Sequence, residues 1–241
     1  FIRLHHILSN LQARDLMSKP AVLTLDDKVY VFPTIKGVEN EKAVDFRTLR
    51  SATGYISYDE GYGNTGSCQS EITYIDGEVG ILRYRGIPIE QLAEKSSFLE
   101  SSYMILYGDL PTQFELDQFK TRVREGTAVS PMMCDALKGF PRDAPPMGML
   151  GSMLGAMSCY NASLATNDRA VDLEHFDEAA AAAIAQTATA AALGYRVTKG
   201  LEGNQPDSSL SFGDNFLHLM FSEEGRPYKA IPEVSRALDL M

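Results

Sequence analysis

Four histidines, His5, His6, His175 and His218, hold most of the acid–base capacity that this sequence offers near neutral pH. His5 and His6 fall within the first sixteen residues. His175 stands in a polar approach to an alanine-rich stretch, where a solvated or capping role is expected. His218 lies within Phe216-Leu217-His218-Leu219-Met220-Phe221, a strongly apolar helical pattern. The one carboxylate at helical spacing that could orient it is Asp214, four residues earlier, so a satisfied, partly buried imidazole is the expectation there. Gly61-Tyr62-Gly63-Asn64-Thr65-Gly66 matches the G-x-G-x-x-G dinucleotide pattern. That pattern works only between a strand and a helix, where a pyrophosphate meets free helix amides. Here Cys68 to Ile75 reads as strand, so the predicted structure is a turn with several positive φ angles. Cys68, Cys134 and Cys159 are an odd number with no close pair, which gives neither a disulfide framework nor zinc-ligand spacing. A reducing compartment, the cytoplasm, is expected. No nucleophile elbow, Walker sequence or His-Glu-x-x-His occurs. The residues therefore assign no catalytic, cofactor-binding or metal-ligating position.

The elements that would carry any site change character along the chain. Ala21 to Phe32 holds two β-prone runs split at Asp26-Asp27, which predicts a hairpin. Ile35 to Leu49 adds another strand or two, making a small β module. Gly54 to Gly66 is rich in loop residues. Ile72 to Ile75 and Ile81 to Tyr84, joined through Asp76-Gly77, form a second hairpin. After Pro88 helical periodicity takes over. Ser97-Phe98-Leu99-Glu100 and Thr112-Gln113-Phe114-Glu115 have capping-box spacing and open helices through Leu106 and to about Gly126. Further helices are predicted at Pro131 to Lys138, Pro146 to Cys159, Asp172 to Lys199, Leu210 to Phe221, and Pro232 onward. Met147 to Met157 interleaves methionine with Gly148, Gly151 and Gly155. Ala179 to Ala192 contains ten alanines, with Phe176, Ala180, Ile184, Thr187, Ala191 and Tyr195 along one stripe. Both helices suit close packing in a core or at a subunit interface.

Composition bounds the rest. The chain has 241 residues, is 44% hydrophobic and 22% charged, and carries a net charge of -10. These proportions suit one or two folded domains and speak against a general nucleic-acid or anionic-membrane binder. No segment reaches the ~20 apolar residues of a membrane helix. The Asn161-Ala162-Ser163 sequon is expected to be unused in a reducing compartment. Residues 1–16 precede Met17 and read as upstream sequence translated in frame, a non-native or disordered leader. A basic transit-type leader is the other reading.

The stretch GYGNTGSCQSEITYIDGEVGILRYRGIPIEQLAEKSSFLESSYMILYGDLPT, Gly61 to Thr112, resembles bacterial citrate synthases nearly without gaps. MSKPAVLTLDDK upstream, and FPRDAPPM, LSFGDNFLHLMF and RPYKAIPEVSRALDLM downstream, extend the resemblance from Met17 to Met241, toward the long type II enzymes. The resemblance implies a mainly α fold, a helical large domain over residues 61–241 preceded by a small N-terminal β module at 17–60 and a β-hairpin. It implies an acyltransferase of the tricarboxylic acid cycle that condenses oxaloacetate with acetyl-CoA to citrate and CoA. Acetyl-CoA is a co-substrate and no cofactor is called for. Self-association as a homodimer or hexamer is implied, with no nucleic-acid or membrane partner. The family's aspartate base, histidines and carboxylate-binding arginines match no position here. Its first histidine segment, His-Ala-Asp-His-Glu, would begin just past Met241, so this portion is expected to lack activity by itself.

Departures from the family pattern carry their own expectations. Glu125, Gly126, Ala182 and Gln186 stand where NADH-inhibited type II enzymes have basic residues, and Gly225 where a reactive cysteine can occur. No NADH binding is expected there. Pro145 replaces a frequent histidine, and Gly200 to Ser209 departs from the usual segment. The alternatives are 2-methylcitrate synthase, against which the β module speaks, and a non-catalytic paralogue that dimerises. If complementary helices were missing, the apolar face of Phe216 to Phe221 would be uncovered.

Overall fold

Two aspartates set the first turn. Asp26 and Asp27 take φ of 48° and 63°, the paired left-handed geometry that a two-residue hairpin with right-handed strand twist requires. They join β1 (Ala21–Leu25) to β2 (Lys28–Phe32), antiparallel with Leu25 opposite Lys28. A computed structural model describes residues 19–128, 130–161 and 166–241. The leader, Met17, His5, His6 and positions 162–163 of the sequon lie outside them.

The chain divides between Ser70 and Glu71 into two compact units. In the first, β3 (Thr34–Lys36) pairs with β4 (Lys42–Val44), and a short helix, α1 (Leu49–Thr53), follows. Its core is small: Phe32 and Leu49 are buried, and Phe46 meets Phe32 edge-on at 5.3 Å.

The second unit opens with a three-stranded antiparallel sheet of β5 (Thr73–Asp76), β6 (Ile81–Tyr84) and β7 (Ile87–Pro88). Cys68 to Ile72 is not strand, so the expected strand is shorter at its start. Helices then follow: α2 (Ile89–Lys95), α3 (Phe98–Tyr107), α4 (Gln113–Gly126), α5 (Pro131–Lys138), α6 (Pro146–Tyr160), α7 (Arg169–Glu174), α8 (Phe176–Thr198), α9 (Phe212–Phe221) and α10 (Pro232–Leu240). Most of the regular structure is thus helical, in agreement with the mainly α expectation. Both capping boxes form. Ser97 Oγ accepts from the Glu100 amide while Glu100 accepts from the Ser97 amide, and Thr112 and Glu115 repeat the exchange. No described helix is long and apolar enough to cross a membrane.

The helix expected from Asp172 to Lys199 is in fact two, broken at His175. The first turn of α8 is drawn toward α3 and α4. Tyr107 Oη donates to Asp177 at 2.8 Å, Arg122 reaches Asp177 at 3.3 Å, and the Phe176 ring meets Tyr107 edge-on. Such tertiary ties outweigh the propensity for one continuous helix.

The buried face of α8 also differs from the expected stripe. Ala181, Ala185, Ala192 and Arg196, one position on from members of the Phe176-to-Tyr195 series, are buried together with Thr189, and the series itself lies on the flank. Helix axes approach most closely where only a methyl group stands between them, so the smallest side chains face the partners. Ala181 and Ala185 pack with Leu99, Phe119 and Val123 of α3 and α4. Ala190 and Leu193 pack with Met133, Leu137, Met149, Met153 and Met157 of α5 and α6. Since α9 also docks on it, α8 is the spine of the unit.

Candidate functional site

His218 is held at both ring nitrogens. Its Nε2 lies 3.1 Å from the Gln205 carbonyl oxygen, which can only accept, so Nε2 carries the proton. Nδ1 then accepts from Ser222 Oγ at 2.9 Å, and Ser222 Oγ accepts from the Tyr228 amide at 2.9 Å. Asp214 does not orient the ring; its carboxylate accepts from Ser235 Oγ. The serine at i+4 takes the role that sequence spacing offered to the aspartate at i−4. Ser222 is itself buried, so this Ser–His pair ties the end of α9 to its surroundings and presents no nucleophile to solvent.

Around this pair lies a polar cluster that the sequence did not announce. Arg196, 5% exposed near the end of α8, donates to the carbonyls of Glu202, Met220 and Ser222. Asn204 Nδ2 lies within 3.3 Å of the carbonyls of His218 and Leu219 and donates to Ser222 at 2.8 Å. The orphan carbonyls at the end of α9 thus receive a buried cation and an amide, which the negative pole of a helix favours. Burial pushes the Arg196 pKa down, though guanidinium stays charged. The segment Gly200 to Ser209, divergent in sequence, supplies much of this cluster. Gly203 fits closely within it: a Cβ there would lie 2.9 Å from Leu193 Cδ2 and 3.3 Å from Cys134 Sγ, so those side chains would have to shift.

The glycine loop has no nucleotide-binding context. Gly61 and Tyr62 take φ of 77° and 58° in a 3₁₀ turn, and no helix follows until α2. Asp59 organises it, accepting from Thr65 Oγ1 at 2.5 Å and the Asn64 amide at 2.8 Å. The Thr65 hydroxyl and that amide hold the Asp59 carboxyl below the usual carboxylate range. His175 is half-exposed, with Nδ1 3.5 Å from Glu178. Cys68 and Cys159 are exposed and Cys134 is partly buried, all unpaired. No group of three or more His, Cys, Asp or Glu side chains able to hold a metal occurs among the described residues.

Of the positions matched to the basic residues of NADH-inhibited enzymes, Glu125 is exposed, while Gly126 and Ala182 meet in the contact between α4 and α8. A Cβ on Gly126 would fall 3.0 Å from Ala185 Cβ and 3.2 Å from Ala182 Cα, so α4 and α8 nearly touch there. Gln186 accepts from Asn161 Nδ2 at 3.1 Å. Gly225, with φ of 70°, sits in a turn closed by Glu223 and Arg226. The apolar run of α9 is largely covered: Leu217 and Leu219 are buried, while Phe221 stays partly exposed between Tyr195 and Tyr228.

Comparison with known proteins gives a consistent result. The family described as "Citrate synthase, C-terminal domain" matches residues 61–241. A citrate synthase of Dictyostelium discoideum is 41% identical over 208 residues, covering 83% of this chain and 41% of that protein. Citrate synthase 1 of Mycobacterium tuberculosis is 39% identical over 207 residues, covering 86% of this chain and 47% of that protein. Among solved structures, citrate synthase from Thermoplasma acidophilum, in ternary complex with carboxymethyl coenzyme A and oxaloacetate, is similar at a TM-score of 0.66 and 26% identity. That likeness covers 76% of this chain and 46% of that one. The enzyme from Pyrobaculum aerophilum gives 0.65 at 28% identity, over 91% of this chain and 49% of that one. The chain therefore spans less than half the length of these relatives.

Proposed function

The chain belongs to the citrate synthase family, and on that premise we propose that the protein containing it condenses oxaloacetate with acetyl-CoA to give citrate and CoA. The observation that carries this reading is the family match over residues 61–241, reinforced by the likeness to an enzyme solved with carboxymethyl coenzyme A and oxaloacetate. In that reaction the acetyl methyl loses a proton and attacks the ketone carbon of oxaloacetate. Hydrolysis of the thioester then releases CoA. Acetyl-CoA enters as co-substrate with no further cofactor, and the setting is cytoplasmic.

This chain's part is scaffold. No residue of it is assigned to proton transfer or to the substrate carboxylates. The histidine best placed for chemistry, His218, has both nitrogens engaged and its hydroxyl partner buried. Residues 61–241 belong to a helical large domain, and residues 17–60 form a small β module before it. Glu125, Gly126, Ala182, Gln186 and Gly225 offer a pyrophosphate no cation, which supports the reading that NADH is not bound there.

Thiol release from acetyl-CoA that depends on oxaloacetate, measured with the complete gene product, tests the assignment. Citrate as product upholds it. Preference for propionyl-CoA would move the reading to 2-methylcitrate synthase, and no turnover with either thioester would leave a non-catalytic relative. The 241-residue chain alone is expected to release no thiol, and measurable turnover by it would overturn the scaffold role.

A further inference from the structure

Asp76-Gly77 is the one Asp-Gly pair in the sequence; every other aspartate is followed by a residue with a side chain, and no Asn-Gly occurs. The pair lies where β5 ends and the loop to β6 begins, with Asp76 opposite Ile81 in the register. Residues 77–80 are exposed. The turn chemistry that builds this hairpin therefore sets a carboxyl beside the main-chain nitrogen of a residue with no Cβ to shield it.

The hydrogen bonds of the loop decide what these groups can do. Asp76 Oδ1 accepts from the Glu78 amide at 3.0 Å and from the Val79 amide at 3.2 Å. The Asp76 carbonyl oxygen accepts from the Gly80 amide at 2.9 Å. Among the described residues the Gly77 amide donates to no acceptor, and nothing lies within 4 Å of a Cβ built on Gly77. The nitrogen next to the carboxyl is thus uncommitted, while the two amides beyond it draw electron density from Cγ. Paired backbone amides on one oxygen are the arrangement that stabilises an oxyanion when a nucleophile adds to a carbonyl carbon.

We propose that Asp76 is a site of isoaspartate formation in the folded chain. The Gly77 nitrogen attacks Cγ of the protonated Asp76 carboxyl, and the new C–N bond closes a five-membered succinimide. Oδ2 departs as water, carrying the acid's proton and the one from nitrogen. Water then adds to the ring. Opening at the former main-chain carbonyl leaves Gly77 joined through Cγ and frees an α-carboxylate; opening at the other carbonyl restores aspartate. One water leaves and one returns, so no oxidant, reductant or cofactor enters. The isoaspartyl link lengthens the main chain by one methylene at the Asp76–Ile81 pair and removes the side-chain oxygen that the Glu78 and Val79 amides share. Its α-carboxylate is a substrate for methyltransferases of the class that esterify isoaspartyl groups with S-adenosylmethionine. The inference does not depend on the synthase assignment.

The 241-residue chain, incubated folded at neutral pH and physiological temperature, tests it. Label transferred from S-adenosylmethionine by an isoaspartate methyltransferase counts the product, and electron-transfer fragmentation places it in the sequence. A synthetic peptide of residues 72–84 gives the rate without a fold. Label at Asp76 is expected, formed in the folded chain at one-tenth of the peptide rate or faster. Gly77→Ala should slow it about tenfold or more, because the methyl crowds the attacking nitrogen. The variant suits the loop, since Gly77 is not at positive φ and its Cβ enters open space. A folded-chain rate below one-tenth of the peptide's, undiminished label in Gly77→Ala, or label confined to other aspartates would overturn the proposal. The rate comparison uses the unaltered chain, so it decides the matter even where the variant misfolds.

Discussion

Arg196 shows how much one buried cation can hold in place. Its donors serve carbonyls from the loop after α8 and from the end of α9, the bond to Ser222 being buried and the other two part-buried. Arg196→Met keeps much of the apolar stem but leaves those carbonyls unsatisfied, and should cost about 3 kcal/mol. A fall in the urea midpoint with an unchanged slope would register it. Tyr107 makes a different kind of tie. Burial, and then its hydrogen bond to the Asp177 carboxylate, raise the phenol pKa well above its ordinary value of about 10. A raised folded-state pKa favours the protonated form in the native state. The associated stability is complete below pH 10 and drains away as pH climbs through the raised value. Tyr107→Phe should therefore lower stability at pH 7 by about 1 kcal/mol and flatten its decline above pH 10, as followed by denaturant titrations across that range. A pH profile parallel to that of the unaltered chain would remove Tyr107 as its source. Sequence reading missed Arg196 because its partners are main-chain carbonyls, which leave no mark in residue types. It weighed Asp214 for His218 because a carboxylate at i−4 stands out where a serine at i+4 does not.

Elements were legible where the information is local. The capping boxes at Ser97 and Thr112 and the Asp26-Asp27 turn depend on four or fewer consecutive residues, and all three formed where spacing placed them. The break at His175 and the buried face of α8 were not legible, since both are decided by distant helices. The α4–α8 contact makes the point testable. Gly126→Ala would ordinarily favour a helix by up to about 1 kcal/mol. Here the new methyl meets Ala185 Cβ and the Ala182 backbone, atoms that cannot swing away. The two helices must part, and a net loss of about 1–2 kcal/mol is expected in chemical denaturation. A stabilised variant would show that α4 has slack against α8.

For the whole molecule, the notable surface is on α6. Met149, Met153 and Met157 turn inward, which leaves Gly148, Gly151 and Gly155 exposed beside Met147 and Leu154. Nothing stands within 4 Å of a Cβ built on Gly151 or Gly155. The self-association that the family resemblance implies would use that face for a close helix contact. Sedimentation velocity should then show a dimer, converted to monomer by Gly151→Arg with helicity retained; a monomeric parent chain would exclude this face as sufficient. The alanine spine carries a further consequence. Residues 181–196 of α8 are bracketed by α4, α5, α6 and α9, so no small fluctuation bares their amides. In deuterated solvent those protons should be the last to leave, released only when the whole unit opens, which makes α8 an internal clock for its global unfolding.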